Sequence, residues 1–214
     1  MVTVSAANPG PGGPVVLIGP LAAGKSTVGA ELARVLGVPM CSVDEVRWRY
    51  FEEIGYDGAE AERCFARGRT PAEKLAYGMP FEVYAIEQIM AYRSFGVIDF
   101  GASNSVYDDA VLLGRVEAAL TGAYVVLLLP SKDPVTSEQV LAGRLAHILQ
   151  AKDEEVTGEL LALNSYFVRH PANRRLARKV VYTSDRSPTA IASEIALSWT
   201  AGTPCRPEPP RQER

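Results

Sequence analysis

Lys25 and Ser26 close the stretch Gly19-Pro20-Leu21-Ala22-Ala23-Gly24-Lys25-Ser26. Gly, four residues, then Gly-Lys-Ser is the spacing of a phosphate-binding loop. Gly19 and Gly24 permit backbone conformations that a side chain would block. The loop N–H groups then turn inward around a polyphosphate. Lys25 neutralises the outer phosphates as a point charge. Ser26 offers a hydroxyl to the Mg²⁺ that accompanies a nucleoside triphosphate, and Thr27 continues into the next element. Gly19 through Thr27 is therefore the expected ATP-binding stretch, with Lys25 also catalytic.

Three further residues suit phosphoryl transfer. Asp44 follows the second apolar segment and is expected to accept or orient the proton of an acceptor hydroxyl. Its plain alternative is a helix N-terminal acid favoured by the dipole. Asp99 ends the apolar run Gly96-Val97-Ile98-Asp99-Phe100. It either holds Mg²⁺ together with Ser26 or is a buried structural acid. Arg47 lies one helical turn after Asp44, so it either reaches the acceptor or pairs with a nearby acid. Ser42 either serves the metal or caps the helix that follows, and the Ser42-Val43-Asp44-Glu45 spacing favours a capping box. His147 and His170 are read as incidental.

The flanks of the loop support it. Pro14-Val15-Val16-Leu17-Ile18 is a short, β-branched run of the kind found in buried parallel strands. Val28, Leu32, Val35 and Leu36 recur at helical spacing, and Gly37 is a stop signal. The loop thus sits between a strand and a helix N-terminus, where an anion is favoured.

The rest of the chain alternates in the same way. Strands are expected at Val38-Pro39-Met40-Cys41, Gly96 to Phe100, Tyr124 to Leu129 and Lys179 to Thr183. Helices are expected from Ser42 to Glu53, Ala59 to Arg67, after Thr70-Pro71-Ala72-Glu73, Phe81 to Phe95, Asp108 to Leu120, Asp133 to Gln150 and Pro188 to Trp199. Val111, Leu112, Val116 and Ala119 read as core, with Arg115 as a charged edge. Residues 151–177 are polar and resist assignment. The pattern predicts an α/β fold, a three-layer parallel sheet of about five strands with helices on both faces. In such sheets ligands sit beyond the carboxyl ends of the strands. The residues after strands one, two, three and five should therefore gather around one cleft.

The 214 residues suit a single domain over residues 14–200, with a disordered extension at 1–13 and a loose tail at 201–214. Hydrophobic residues make up 47% of the chain, enough for a substantial core. A net charge of −3 and an isoelectric point near 5.5 argue against nucleic acid or an anionic membrane as partner. Cys41, Cys64 and Cys205 match no metal spacing and read as free thiols. With no leader-like segment and no run long enough to span a membrane, a cytoplasmic monomer or homodimer is expected.

Taken together, these motifs resemble the shikimate kinase group of small phosphotransferases over most of residues 15–197. The group's Asp-x-Asp after strand two is present as Ser42-Val43-Asp44, and its Gly-Gly-Gly after strand three as Gly101-Ala102-Ser103. Its Arg-x-Pro-x-Tyr is present as Arg169-His170-Pro171-Ala172-Asn173. The resemblance implies that Gly101 and Arg169 contact the acceptor, with Arg169 as a carboxylate clamp. It places Arg144 on the adenine base and Asp185 in the adenine-side loop Thr183 to Pro188. It implies an acceptor-binding helical region at about 44–95 and a lid at about 145–169. The lid arginine of the group is missing; Ala151 or Lys152 stands there. The expected activity is transfer of the γ-phosphate of ATP to a hydroxyl of a small polar molecule. Rivals within the class are an antibiotic phosphotransferase of the chloramphenicol type and a zeta-toxin-like sugar-nucleotide kinase. The rival from another class is a nucleotide switch or ATPase.

Overall fold

The computed structural model describes residues 13–92 and 94–201. The expected extension and tail fall outside the described residues apart from Gly13 and Ala201, and Cys205 falls outside them too. Val15–Ile18 forms the central strand β1, with no side chain reaching solvent. The other strands are β2 (Met40–Ser42), β3 (Val97–Asp99), β4 (Tyr124–Leu129) and β5 (Lys179–Tyr182). All pair in parallel, in the order β2-β3-β1-β4-β5.

Successive side chains on a strand face opposite sides of the sheet, and β1 therefore feeds two cores. Val15 and Leu17 pack with Leu32, Val126 and Ile195. Val16 and Ile18 pack with Ile86, Ile98 and Leu127. On the first face lie α1 (Lys25–Leu36) and α10 (Pro188–Ala201), the most closely packed pair of helices. On the second lie α2 (Val43–Glu53), α5 (Met79–Tyr92) and α6 (Ala110–Ala119). The short helices α3 (Gly58–Arg67) and α4 (Pro71–Leu75) join α2 to α5, and α7 (Pro134–Gln150) follows β4. Burial on both faces accounts for the unbroken apolar runs of β1 and β4.

The helix starts follow local chemistry. Thr70 accepts from the Glu73 N–H while the Glu73 carboxylate accepts from the Thr70 N–H, a capping box with Pro71 at the first position. Asp109 and Asp133 accept from the first turns of α6 and α7.

Several expectations need correction. Residues 151–177 contain two helices, α8 (Gly158–Arg169) and α9 (Pro171–Leu176), capped by Thr157 and His170. The second strand is Met40–Ser42, starting two residues later and ending one later than expected; Pro39 instead offers its carbonyl to the Gly96 and Val97 N–H groups. Val111 is 72% exposed, and the buried face of α6 is carried by Leu113 and Val116.

Candidate active site

The phosphate loop is built at the carboxyl end of β1, where the chain turns from one side of the sheet to the other. Gly19 has φ 143°, and a Cβ there would stand 2.5 Å from the Leu128 carbonyl oxygen of β4. No other residue fits that position. Ala22 has φ 59° and Gly24 φ 93°, both left-handed. For Ala22 that conformation costs roughly 1–2 kcal/mol, and the surroundings hold it in place. Asn164 of α8 takes part: its Oδ1 accepts from the Leu21 N–H at 2.8 Å, and its Nδ2 donates to the Leu21 carbonyl at 3.4 Å. Gly24 is the N-cap of α1 and brings no side-chain cap. The first-turn N–H groups of α1 are thus left for an anion.

Lys25 is buried, and its Nζ donates to the carbonyls of Gly19 at 3.0 Å and Pro20 at 2.9 Å. Burial lowers the lysine pKa, while Asp99 and Asp44 act in the opposite sense. Ser26 Oγ donates to Asp99 Oδ2 at 2.6 Å. The parallel register sets Asp99 level with Leu17 on one side and Ser42 on the other. Asp99 is 4% exposed, and burial raises its pKa against the Ser26 hydrogen bond and Lys25. Its second oxygen, Oδ1, is buried without a partner among the described residues. A hard oxygen pair, one atom of it unsatisfied, fits Mg²⁺, which takes one or two protein ligands and fills its shell with phosphate and water.

Ser42 stands at the N-cap of α2, but its side chain makes no cap bond, so the expected capping box is not formed. The next residues carry the acceptor side. Asp44 points towards Gly101: a Cβ on Gly101 would meet Asp44 Oδ1 at 2.5 Å. Glycine at 101 therefore lets the carboxylate approach the loop after β3. The Gly101 N–H donates to Asn104 Oδ1 at 2.7 Å. Arg47 Nη1 donates to Glu82 Oε1 at 2.6 Å and lies 3.2 Å from Asp44 Oδ1. Glu82 is 6% exposed and also accepts from Asn104 Nδ2 and Ser103 Oγ. Its desolvation raises its pKa, opposed first by Arg47.

Two cavities flank these residues. One, of about 510 Å³, is lined by Ala22 to Val28 of the loop and α1, and by Arg144, His147, Thr183 and Arg186. Arg144 Nη1 reaches the Ala22 carbonyl at 3.3 Å and Thr183 Oγ1 at 3.4 Å. The other, of about 210 Å³, is lined by Arg47, Glu82 and Ser103 at one end and by aromatic side chains of α2, α3 and the α4–α5 region. The loops after strands one, two, three and five do converge, because parallel pairing puts the carboxyl ends of the strands at one edge of the sheet.

Two expected site residues are placed differently. Arg169 forks onto Glu138, Nε at 2.6 Å and Nη2 at 3.0 Å, and lines neither cavity. Its position at the end of α8 turns it towards α7. Asp185 sits in an exposed left-handed turn and does not line the nucleotide cavity; Thr183 and Arg186 do. Asn173, standing where the resembled group has Tyr, is a buried strut, accepting from Ser105 Oγ and donating to the Phe167 carbonyl. Lys152 lies in the exposed turn between α7 and α8.

Three residues that line or brace these cavities, Ile148, Asn164 and Glu82, went unread in the sequence, and His147 was read as incidental. His147 and Ile148 line the nucleotide cavity from the last turn of α7. Asn164 braces the loop from a segment whose polarity hid its helix. Glu82 carried a signal: it shares a helix face with Ile86 and Ile89, at i, i+4 and i+7, so an acid on that face is buried.

No family model matches the sequence, and no curated protein matches it. Solved structures do match. A shikimate kinase from Acinetobacter baumannii in complex with shikimate aligns with TM-score 0.57 and 18% identity, over 88% of this chain and 93% of that one. A gluconokinase from Sinorhizobium meliloti aligns with TM-score 0.59 and 18% identity, over 90% and 94%. A shikimate kinase from Bacteroides thetaiotaomicron aligns with TM-score 0.53 and 21% identity, over 88% and 98%. The chain has the shikimate kinase-like P-loop kinase fold.

Proposed function

We propose that the protein transfers the γ-phosphate of ATP to a hydroxyl of a small molecule. The observation that carries this reading is the placement of Asp44. It pairs with Arg47, which lines the second cavity, and its charge acts on Lys25 of the phosphate loop. A hydrolase or switch has no need of the second cavity.

In this reading the loop N–H groups and the α1 N-terminus hold the polyphosphate. Lys25 leaves the Gly19 and Pro20 carbonyls for the outer phosphates, where it neutralises developing charge. Ser26 and Asp99 would hold Mg²⁺, which would supply positive charge to offset that of the phosphates. Asp44 accepts the acceptor's proton as its oxygen bonds to the γ-phosphorus in line. The bond to the bridging oxygen breaks, and ADP leaves with that electron pair. Asn164 fixes the loop at Leu21, and Gly101 leaves room for Asp44. Arg144, His147 and Thr183 flank the base end of the nucleotide.

The test is a screen of hydroxylated compounds with γ-labelled ATP, Mg²⁺ and the purified chain. Label carried to a small molecule supports the reading. ATP hydrolysis that no alcohol alters and a protein partner accelerates would instead identify a switch.

A further inference from the structure

The cavity beyond Asp44 has an unusual wall. Trp48, Phe51, Tyr56, Phe65 and Tyr77 all line it. Four of these rings, all but Phe65, form one connected set: Trp48 to Tyr56 at 5.9 Å, Phe51 to Tyr56 at 4.9 Å and Tyr56 to Tyr77 at 5.6 Å between centroids. Several of these pairs are edge-on or tilted, which leaves ring faces for another partner. Trp48 remains 48% exposed and Phe65 37% exposed, so this is not a closed core. The space, about 210 Å³, compares with the roughly 150 Å³ apolar cavity that accepts benzene, and so suits one ring with a short substituent.

The charges point the same way. Two cations line the cavity, and both are already matched. Arg47 is held by Glu82 and Asp44 and lies over the Trp48 ring at 4.9 Å. Lys74 pairs with Glu159 of α8 at 2.5 Å and lies over the Phe65 ring at 4.6 Å. Arg47 Nη1 is already taken by Glu82 and Asp44, and its Nε is buried without a partner among the described residues. A carboxylate prefers two parallel bonds from the guanidinium fork and would meet Asp44 and Glu82 beside it. A cationic ligand would stand beside the like charges of Arg47 and Lys74, which both line the cavity.

We propose that the acceptor is an uncharged alcohol carried on a flat aromatic ring. The ring stacks among Trp48, Tyr56, Phe65 and Tyr77, and the hydroxyl is presented to Asp44. The assignment of the hydroxyl rests on the kinase reading above; the ring site does not.

The sequence holds two tryptophans, so Trp199→Phe leaves Trp48 as the sole indole reporter. Trp48 emission is titrated in the full chain with 2-phenylethanol, its saturated counterpart 2-cyclohexylethanol, the hydroxy acid phenyllactate, and choline. Should Trp199→Phe not fold, the difference between the parent and Trp48→Phe gives the same signal. The expected result is saturable binding of 2-phenylethanol. The cyclohexyl compound should bind about tenfold more weakly, the fold-change of roughly 1.4 kcal/mol of lost ring stacking. Phenyllactate and choline should also bind more weakly, and Tyr56→Leu should weaken the aromatic alcohol alone. Absence of saturation, or tighter binding of phenyllactate or choline, overturns the proposal. ATP-dependent phosphorylation of a hydroxy acid with no binding of the aromatic alcohol removes the ring site and leaves the kinase. Ring binding without phosphoryl transfer to any alcohol does the reverse.

Discussion

A Cβ on Gly101 would stand 2.5 Å from Asp44 Oδ1, so the loop after β3 and the acid after β2 share a space that only glycine leaves open. The backbone at Gly101 has φ −59°, which any residue adopts. The crowding is therefore with side-chain ends, from Asp44 and, at 2.9 Å, Asn104. Gly101→Ala should fold, with a stability loss of about 1–3 kcal/mol from overpacking. Turnover should fall up to about a hundredfold, because a displacement near 1 Å at the reacting group costs that much. Thermal melts with steady-state kinetics check it; unchanged turnover would show that Asp44 does not work from this position.

Asp44→Asn keeps the shape of the side chain and removes its charge and basicity. Turnover should fall about a hundred- to ten-thousand-fold, the range for loss of a general base. Nucleotide affinity should change little, since Asp44 stands outside the lining of the nucleotide cavity. The readouts are single-turnover kinetics and a nucleotide-binding titration.

Asp99→Ala removes the partner of Ser26 and the orphaned buried oxygen together. The Mg²⁺ concentration for half-maximal ATP use should rise, while the melting temperature of the nucleotide-free protein should not fall by more than that of a typical core substitution. A metal titration that overlays the parent's assigns Asp99 to the fold alone.

Glu82 gives a pH prediction. Burial raises its pKa in the folded chain above the ordinary 4.5. The folded state therefore binds the proton more tightly than the unfolded chain. Its contribution is fullest below the ordinary value and is lost as pH climbs through the raised one. Compared with Glu82→Gln, the parent's relative stability should be best in mild acid and decline towards neutrality. Chemical denaturation of both proteins across that range measures it; a difference that grows with pH would reverse the sign.

Arg169 and Asn164 show where sequence reading succeeds and where it stops. The phosphate loop was legible because glycine spacing, an apolar run and helical periodicity all coincide within residues 14–37. The helices opened by Thr70 and Asp133 were legible from cap chemistry alone. Arg169 fitted a motif, yet its fork is occupied by Glu138, a residue 31 positions away whose place depends on how α7 and α8 pack. Side-chain partners across helices leave no local trace. Asn164 bonds to Leu21, 143 positions away, and Asn173 to Ser105, 68 positions away, so the polarity of their segment left it without an assignment. Arg169→Ala should accordingly leave the acceptor Michaelis constant unchanged and cost no more than the ~0–1 kcal/mol of an exposed ion pair. A large rise in that constant would restore the carboxylate clamp.

The central claim is phosphoryl transfer at the loop that contains Lys25. Its most direct test is mass spectrometry of small molecules after incubation with ATP, Mg²⁺ and either the parent protein or Lys25→Met. The claim predicts an alcohol carrying one added phosphoryl group and an equal yield of ADP with the parent, and neither with Lys25→Met, whose fold should persist. Equal product from the two proteins, or ADP formed with no phosphorylated alcohol, would contradict it.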